Sequence, residues 1–440
     1  MPSERALHAR GLVDVAQSVW TRHPRPAQAW PELAGEERAD VAVVGVGLAG
    51  ASLALHLAEG GASVAALETR VPGWGASGRN AGHVVSHREY PAAALRALPE
   101  GGERFLALLR EGGDWLYGLA RRHAIACDAV QGGYQMVVHR PALLRAAERK
   151  VEAWVRRGFR LRLLSRAETE RATGSTRFLG GAVDEAGGRI NPFLFTQGMA
   201  AAAVRAGARV YAGSPATSLE RDGGGWLVRA PKGLVRAERV VVCTNGYTGA
   251  LVPALAKAFL PLSAYGIALR ALEAQPDPPI LPAGGVMMQL PTGFHPFLVD
   301  GTGRLVSSLL PASLRPQDPT GPLRDFRRWL VRTFPQLAGT ELALDAYWTG
   351  AMAWSPDTLP RLFDVAPGLD ALLCFSGEGN VLAPVLGRHL AELLIRGGDR
   401  RESALPWLPP PRLRARWRLD VGLRHLAVPI GRLAERIGLF

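Results

Sequence analysis

Three glycines within six residues, Gly45-Val46-Gly47-Leu48-Ala49-Gly50, stand between an apolar run and an alanine- and leucine-rich stretch. That spacing can seat a pyrophosphate. Gly45 permits a tight turn, Gly47 lets phosphates approach the backbone, and Leu48, Ala49 and Gly50 open a helix whose N-terminal amides attract an anion. Glu68 follows at about the twenty-residue offset of a carboxylate that accepts from an adenosine ribose, and the combination predicts a dinucleotide site. A second segment, Gly73-Trp74-Gly75-Ala76-Ser77-Gly78-Arg79-Asn80-Ala81-Gly82, is rich enough in small residues to lay its backbone on a large flat cofactor, with Ser77, Arg79 and Asn80 as polar groups. A flexible surface loop would leave so many glycines unexplained.

The elements that must hold these residues are short. Residues 41–44 form an apolar run of the kind buried on both faces of a parallel sheet, 48–59 a helix stopped by Gly60-Gly61, and 63–67 a second strand that closes a βαβ unit. Helices at 92–98 and 105–123 and a strand at 134–139 read as an inserted region. A helix at 192–205 and strands at 208–211, 225–229 and 239–243 return to the α/β pattern. Strand-like runs at 267–272, 286–290, 297–299 and 304–309, separated by Pro- and Gly-rich turns, predict a mixed or antiparallel sheet. A strand at 369–375, a Ser376-Gly377-Glu378-Gly379 turn and a helix at 381–395 follow.

The fold class expected is therefore α/β: a Rossmann-like domain with a parallel sheet, joined to an interleaved α+β substrate domain with a mixed or antiparallel sheet. The predicted division gives 39–90, 188–258 and 349–398 to the first and 91–187 and 259–348 to the second. An N-terminal extension (1–38) and a basic C-terminal tail (399–440) flank them.

Whole-chain properties exclude other classes. The 440 residues and 48% hydrophobic content suit a folded enzyme of two connected domains. The net charge of +13 is spread along the chain without the aromatic interleaving of a nucleic-acid surface. Cys127, Cys243 and Cys374 are far apart, which argues against a disulfide framework or a zinc site, and no metal is expected. The stretch 41–67 is long enough to span a bilayer, but His56, Glu59 and Gly60-Gly61 interrupt it. Without a cleavable leader, the expected location is cytoplasmic. The arginines after Pro411 (Arg412, Arg414, Arg416, Arg418, Arg424, Arg432 and Arg436), with apolar residues between them, make the tail a candidate for peripheral contact with an acidic membrane, or for a solvated helix packed on the enzyme.

Further ordered motifs, Gly188-Arg189-Ile190-Asn191-Pro192, Val242-Cys243-Thr244-Asn245-Gly246-Tyr247, Trp348-Thr349-Gly350, Ser355-Pro356-Asp357-Thr358-Leu359-Pro360 and Phe375-Ser376-Gly377-Glu378-Gly379-Asn380-Val381, complete a pattern with the glycine segments. From about residue 40 to 394 the chain resembles the D-amino-acid oxidase superfamily, particularly its gamma-glutamylputrescine oxidoreductase-like amine oxidases. The resemblance implies FAD in an extended pose and hydride removal from the carbon beside an amine nitrogen, giving an imine that hydrolyses. It adds Ala216, Thr244, Gly377, Gly379, Asn380 and Val381 to the cofactor candidates.

Glu378 stands where a histidine is frequent in the family, and Arg79 where some relatives carry a flavin-attaching histidine, so the FAD is expected to be non-covalent. His83, close by, reads as a structural histidine. Substrate-contact candidates are Tyr265, His295, Trp348 and Glu378. Their bland counterparts are core packing for the two aromatics, a turn for His295 and a salt bridge for Glu378. The partners implied are a small amine or amino acid and an acceptor, oxygen or a quinone or carrier. An NAD(P)-dependent dehydrogenase and a non-catalytic flavin-binding protein are the alternatives.

Overall fold

The computed structural model describes residues 18–22, 28–290, 296–309, 317–397 and 399–413. The predicted βαβ unit is present as β1 (Gly35–Val44), α1 (Leu48–Glu59) and β2 (Val64–Leu67), with Val41 to Val44 of β1 in parallel register with Val64 to Leu67 of β2. Both runs are wholly buried, as a sheet covered on two faces requires. β1 begins six residues earlier than its apolar pattern suggests. Its polar start, Gly35 to Ala39, is held by parallel pairing with Gly233 to Ala237 rather than by burial.

Among the described residues, β1 and β2 belong to a nine-stranded sheet. Its main order is Trp407–Leu408, Arg361–Ala366, Leu369–Leu373, Gly233–Val242, β1, β2, Arg209–Tyr211, and the hairpin Ser218–Asp222/Gly225–Ala230 is added at Gly233–Val242. The eight-stranded second sheet runs Leu344–Trp354, Leu260–Leu269, Leu305–Leu309, Phe297–Val299, Val286–Gln289, Tyr134–Val138, Gly180–Asp184, Leu161–Leu164. Its neighbours are antiparallel except at Val286–Gln289, which pairs in parallel with Tyr134–Val138. The α/β class with one parallel-rich and one mixed sheet is thus the architecture observed. Leu344–Trp354 crosses residue 348, where the sequence division was drawn, and Trp407–Leu408 joins the first sheet from the predicted tail.

α1 is buried from Leu48 to Ala58, because it lies between Pro192–Arg205 and the later helix α2 (Gly379–Ile395). Backbone nearly meets backbone there: a Cβ at Gly387 of α2 would lie 2.6 Å from the Ala49 carbonyl oxygen, and one at Gly50 would lie 2.0 Å from that of Gly45. These contacts fix where α1 begins, and so where its N-terminal amides point. No described helix is long and apolar enough to cross a membrane. Arg414, Arg416, Arg418, Arg424, Arg432 and Arg436 lie outside the described residues, as does His295.

Candidate active site

At the end of β1 the chain turns through Gly45 in the left-handed region (φ +95°), with the Cys243 carbonyl and the Thr244 side chain against it. The following amides are taken up locally. Val46 N donates to Glu68 Oε2 at 2.9 Å, Arg70 N to Glu68 Oε1 at 3.1 Å, and Leu48 N to Ser77 Oγ at 2.9 Å. Burial raises the Glu68 pKa while the Val46 and Arg70 amides oppose the rise. Ser77 also crowds Gly47: a Cβ there would lie 2.7 Å from its Oγ.

The small-residue segment folds as one 3-10 turn, Ala76–Gly78, followed by an Asn80-centred knot. Asn80 donates to the Ser77 carbonyl at 2.9 Å, and its Oδ1 accepts from Gly82 N at 2.8 Å and from Asn380 Nδ2 at 2.9 Å. Asn380 also donates to the His83 carbonyl at 2.8 Å, so the start of α2 is tied to this segment. Arg79 points into protein: Nε donates to the Trp74 carbonyl at 2.8 Å, Nη1 to the Thr349 carbonyl at 3.0 Å, and the guanidinium lies 4.8 Å from the Trp74 ring centre. Trp348 returns the connection, its indole N–H donating to the Arg79 carbonyl at 2.9 Å.

Beyond Leu369–Leu373 the chain makes a tight reversal, with Cys374 (φ 67°), Ser376 (φ 49°) and Gly377 (φ 98°) all left-handed, and α2 starts after Glu378. Glu378 Oε1 lies 3.2 Å from Arg88 Nη1, which also donates to the Ser376 carbonyl at 3.1 Å. The Tyr134 hydroxyl donates to Met288 Sδ at 3.1 Å, and burial holds the phenol pKa well above its ordinary value. Tyr265 stacks on Tyr347 at 5.4 Å between ring centres. The His83 imidazole is buried edge-on to Tyr134, and burial depresses its pKa to about 3. Its Nε2 has no hydrogen-bond partner among the described residues.

One cavity of about 680 Å³ joins these parts. Of the expected cofactor residues it is lined by Gly45, Gly47, Leu48, Ala49, Glu68, Ser77, Arg79, Asn80, Ala81, Thr244, Gly377, Gly379, Asn380 and Val381, and of the substrate candidates by Tyr265 and Glu378. Gly50, Gly78, Gly82 and Ala216 are not on its wall, and Trp348 is fully buried beside Gly266. The cavity also reaches His83, Arg88, Tyr134 and Met288. By sequence His83 reads as a structural histidine, and nothing singles out the other three. Arg88 belongs to no motif, and only the tertiary approach of Glu378 reveals it; Tyr134 and Met288 read in sequence solely as strand residues.

The chain matches the family model described as FAD dependent oxidoreductase (DAO) over residues 40–393. It belongs to the DAO family of FAD-dependent oxidoreductases. Among similar proteins, the gamma-glutamylputrescine oxidoreductase of Escherichia coli (strain K12) is 31% identical over 376 residues, 84% of this chain and 86% of that protein. The probable oxidoreductase OrdL of Rhizobium meliloti (strain 1021) is 29% identical over 411 residues, 92% of this chain and 94% of that one. In fold the chain is similar to glycine oxidase from Geobacillus kaustophilus, with a TM-score of 0.69 at 21% identity, covering 86% of this chain and 99% of that one. The family match selects flavin over nicotinamide, which the glycine fingerprint alone leaves open.

The cavity suits FAD on its own geometry. Its wall takes in Glu68, the side-chain-free backbone of Gly45 and Gly47, and the start of α2, where a Cβ at Gly379 would meet nothing within 4 Å.

Proposed function

We propose that this DAO-family enzyme oxidises the carbon–nitrogen bond of a small amine or amino acid, giving an imine that water hydrolyses to a carbonyl compound and free amine. The observation that carries this reading is the composition of the cavity wall beyond the cofactor segments. Val85, Tyr134, Tyr265, Met288 and Leu309 are apolar or aromatic, His83 is held neutral, and the charges of Arg88 and Glu378 compensate one another. Bound FAD supplies the hydride acceptor. The chain's own task is to bind the amine in its neutral form, whose lone pair stabilises the positive charge that develops on carbon. A wall without an uncompensated anion favours that form over the ammonium, because a charge taken from water into such surroundings loses hydration that nothing replaces.

Glu378 and Arg88 give the same wall a means of choosing substrates. A second ammonium on the substrate would compete with Arg88 for Glu378, and a substrate carboxylate would compete with Glu378 for Arg88. The gamma-glutamylputrescine oxidoreductase and the glycine oxidase that the chain resembles are compatible with either. The FAD is held non-covalently in this reading, Arg79 being engaged with Trp74 and Thr349. The purified yellow protein, kept anaerobic, is expected to bleach with at least one member of a panel of polyamines, monoamines and amino acids. A chromophore that none of them bleaches would overturn the reading.

A further inference from the structure

Ser18, Val19 and Trp20 precede β1 and contribute to neither large sheet, yet they are only 1%, 1% and 3% exposed. Composition gives no reason for this, and the sequence places them in an extension. What buries them is the small-residue cofactor segment. The three residues and Thr21 make a single turn in which Thr21 N donates to the Ser18 carbonyl at 3.2 Å. From that turn Ser18 Oγ donates to the Gly78 carbonyl at 2.6 Å, and the Trp20 indole N–H donates to the Asn80 carbonyl at 2.7 Å.

The Trp20 ring closes over Gly82 (φ +75°), where a Cβ would lie 3.1 Å from it. Contacts thus fall on residues 78, 80 and 82, of which Gly78 and Gly82 are off the cavity wall, while Ser77, Arg79 and Ala81 between them line it. The turn is itself anchored twice. Asn191, at the start of Pro192–Arg205, donates to the Trp20 carbonyl at 3.2 Å, and Arg22 Nη1 lies 3.1 Å from the Asp345 carboxylate on Leu344–Trp354.

A segment with glycines at 73, 75, 78 and 82 has more backbone freedom to lose than any other kind of sequence, and a buried carbonyl without a donor is costly. The 18–20 turn answers both conditions, because it supplies donors to two carbonyls and covers the third contact with an indole. Fixing a binding segment in advance lowers the ordering cost of association. We propose that Ser18 and Trp20 are positioning residues for the cofactor: they hold 78–82 in its binding shape before FAD arrives, and so set FAD affinity without touching the cavity. This rests on the FAD site and not on which amine is oxidised.

The test is the double variant Ser18→Ala/Trp20→Phe in the full-length chain, which removes both donors and keeps an aromatic ring. Flavin-stripped wild type and variant are titrated with FAD by flavin fluorescence, and their melting temperatures are compared with and without FAD. The expected result is a rise of about tenfold or more in FAD Kd, a flavin-free melting point within a few degrees of wild type, and faster amide exchange in 74–84 only in the flavin-free protein. An FAD Kd within twofold of wild type would overturn the proposal. So would equal losses of melting temperature with and without FAD, which would make the turn a structural element only. Should the double variant not fold, Ser18→Ala alone carries the test on an unchanged ring. A rise of about threefold or more then supports the proposal, and any smaller change overturns it.

Discussion

The two ends of the cavity solve opposite problems. At the end lined by Gly45 and Gly47 the polar groups close on one another over short stretches of chain: both Glu68 oxygens accept loop amides, and Ser77 accepts from Leu48 N. At the far end, segments around 83–88, 134, 265, 288 and 378 meet from distant parts of the chain. There an imidazole nitrogen is left without a protein partner among the described residues, and a guanidinium and a carboxylate satisfy each other across two segments. One end is finished before a ligand arrives, while the other keeps hydrogen-bonding capacity in reserve. An end built from internal contacts should fail wholesale when altered, and an end built from exchangeable ones should change its preferences instead.

The sharpest test of the finished end is Gly47→Val. The new Cβ would lie 2.7 Å from Ser77 Oγ, displacing the group that accepts from Leu48 N and filling space at the backbone. We expect complete loss of FAD retention, measured as flavin absorbance per protein after gel filtration, and a variant with full flavin content would break the comparison at its stronger side. Glu68→Ala should act at the same end by a smaller amount. The Val46 and Arg70 amides lose their carboxylate acceptor; with one hydrogen bond to a charged group worth about 1.5–3 kcal/mol, FAD affinity should fall by about 10- to 150-fold in equilibrium dialysis. Equal affinity for the two proteins would remove Glu68 from the cofactor site.

At the reserve end, Glu378→Gln should shift preference rather than abolish function. A hydrogen bond to a charged group is worth about 1.5–3 kcal/mol, so kcat/KM for dicationic amines should fall about tenfold more than for zwitterionic amino acids, with FAD content unchanged. A uniform loss over all substrates would show that the residue tunes flavin and does not sort ligands.

The smallest effect expected is thermodynamic. The His83 pKa is depressed to about 3 in the folded protein against an ordinary value near 6.5, so the unfolded chain binds more protons between those limits. Its contribution is fully present above about pH 6.5 and is lost as pH falls towards about 3. His83→Gln should therefore flatten the decline of melting temperature between pH 7 and 4, with little change in that slope at pH 8. An identical decline in both proteins would mean that the imidazole is not held neutral.

The same contrast explains what the sequence makes legible. The βαβ unit can be read because Val41 to Leu67 carries strand, turn, helix and strand in one apolar run, and the glycine spacing encodes a local backbone shape. The mixed sheet is visible as alternating runs, but the length of Leu344–Trp354 is not, since its pairing with Leu260–Leu269 depends on chain some eighty residues away. Arg88 and the turn at Ser18 to Trp20 are invisible for the same reason: their partners, Glu378, Gly78 and Asn80, are supplied by tertiary packing and not by periodicity. Trp348 shows the converse. Its motif marks the right neighbourhood, yet the indole lies in the core with its N–H on the Arg79 carbonyl.

The near-contact between Gly387 and the Ala49 carbonyl ties the tolerance of one end of the chain to the other. Position 387 lies on α2 and lines no part of the cavity, but even one methyl group there would press on the first turn of α1. Directed evolution that explores only residues lining the cavity would therefore overlook a site as crowded as Gly47. The last long helix of the described chain thus acts as the gauge block against which the glycine turn is set.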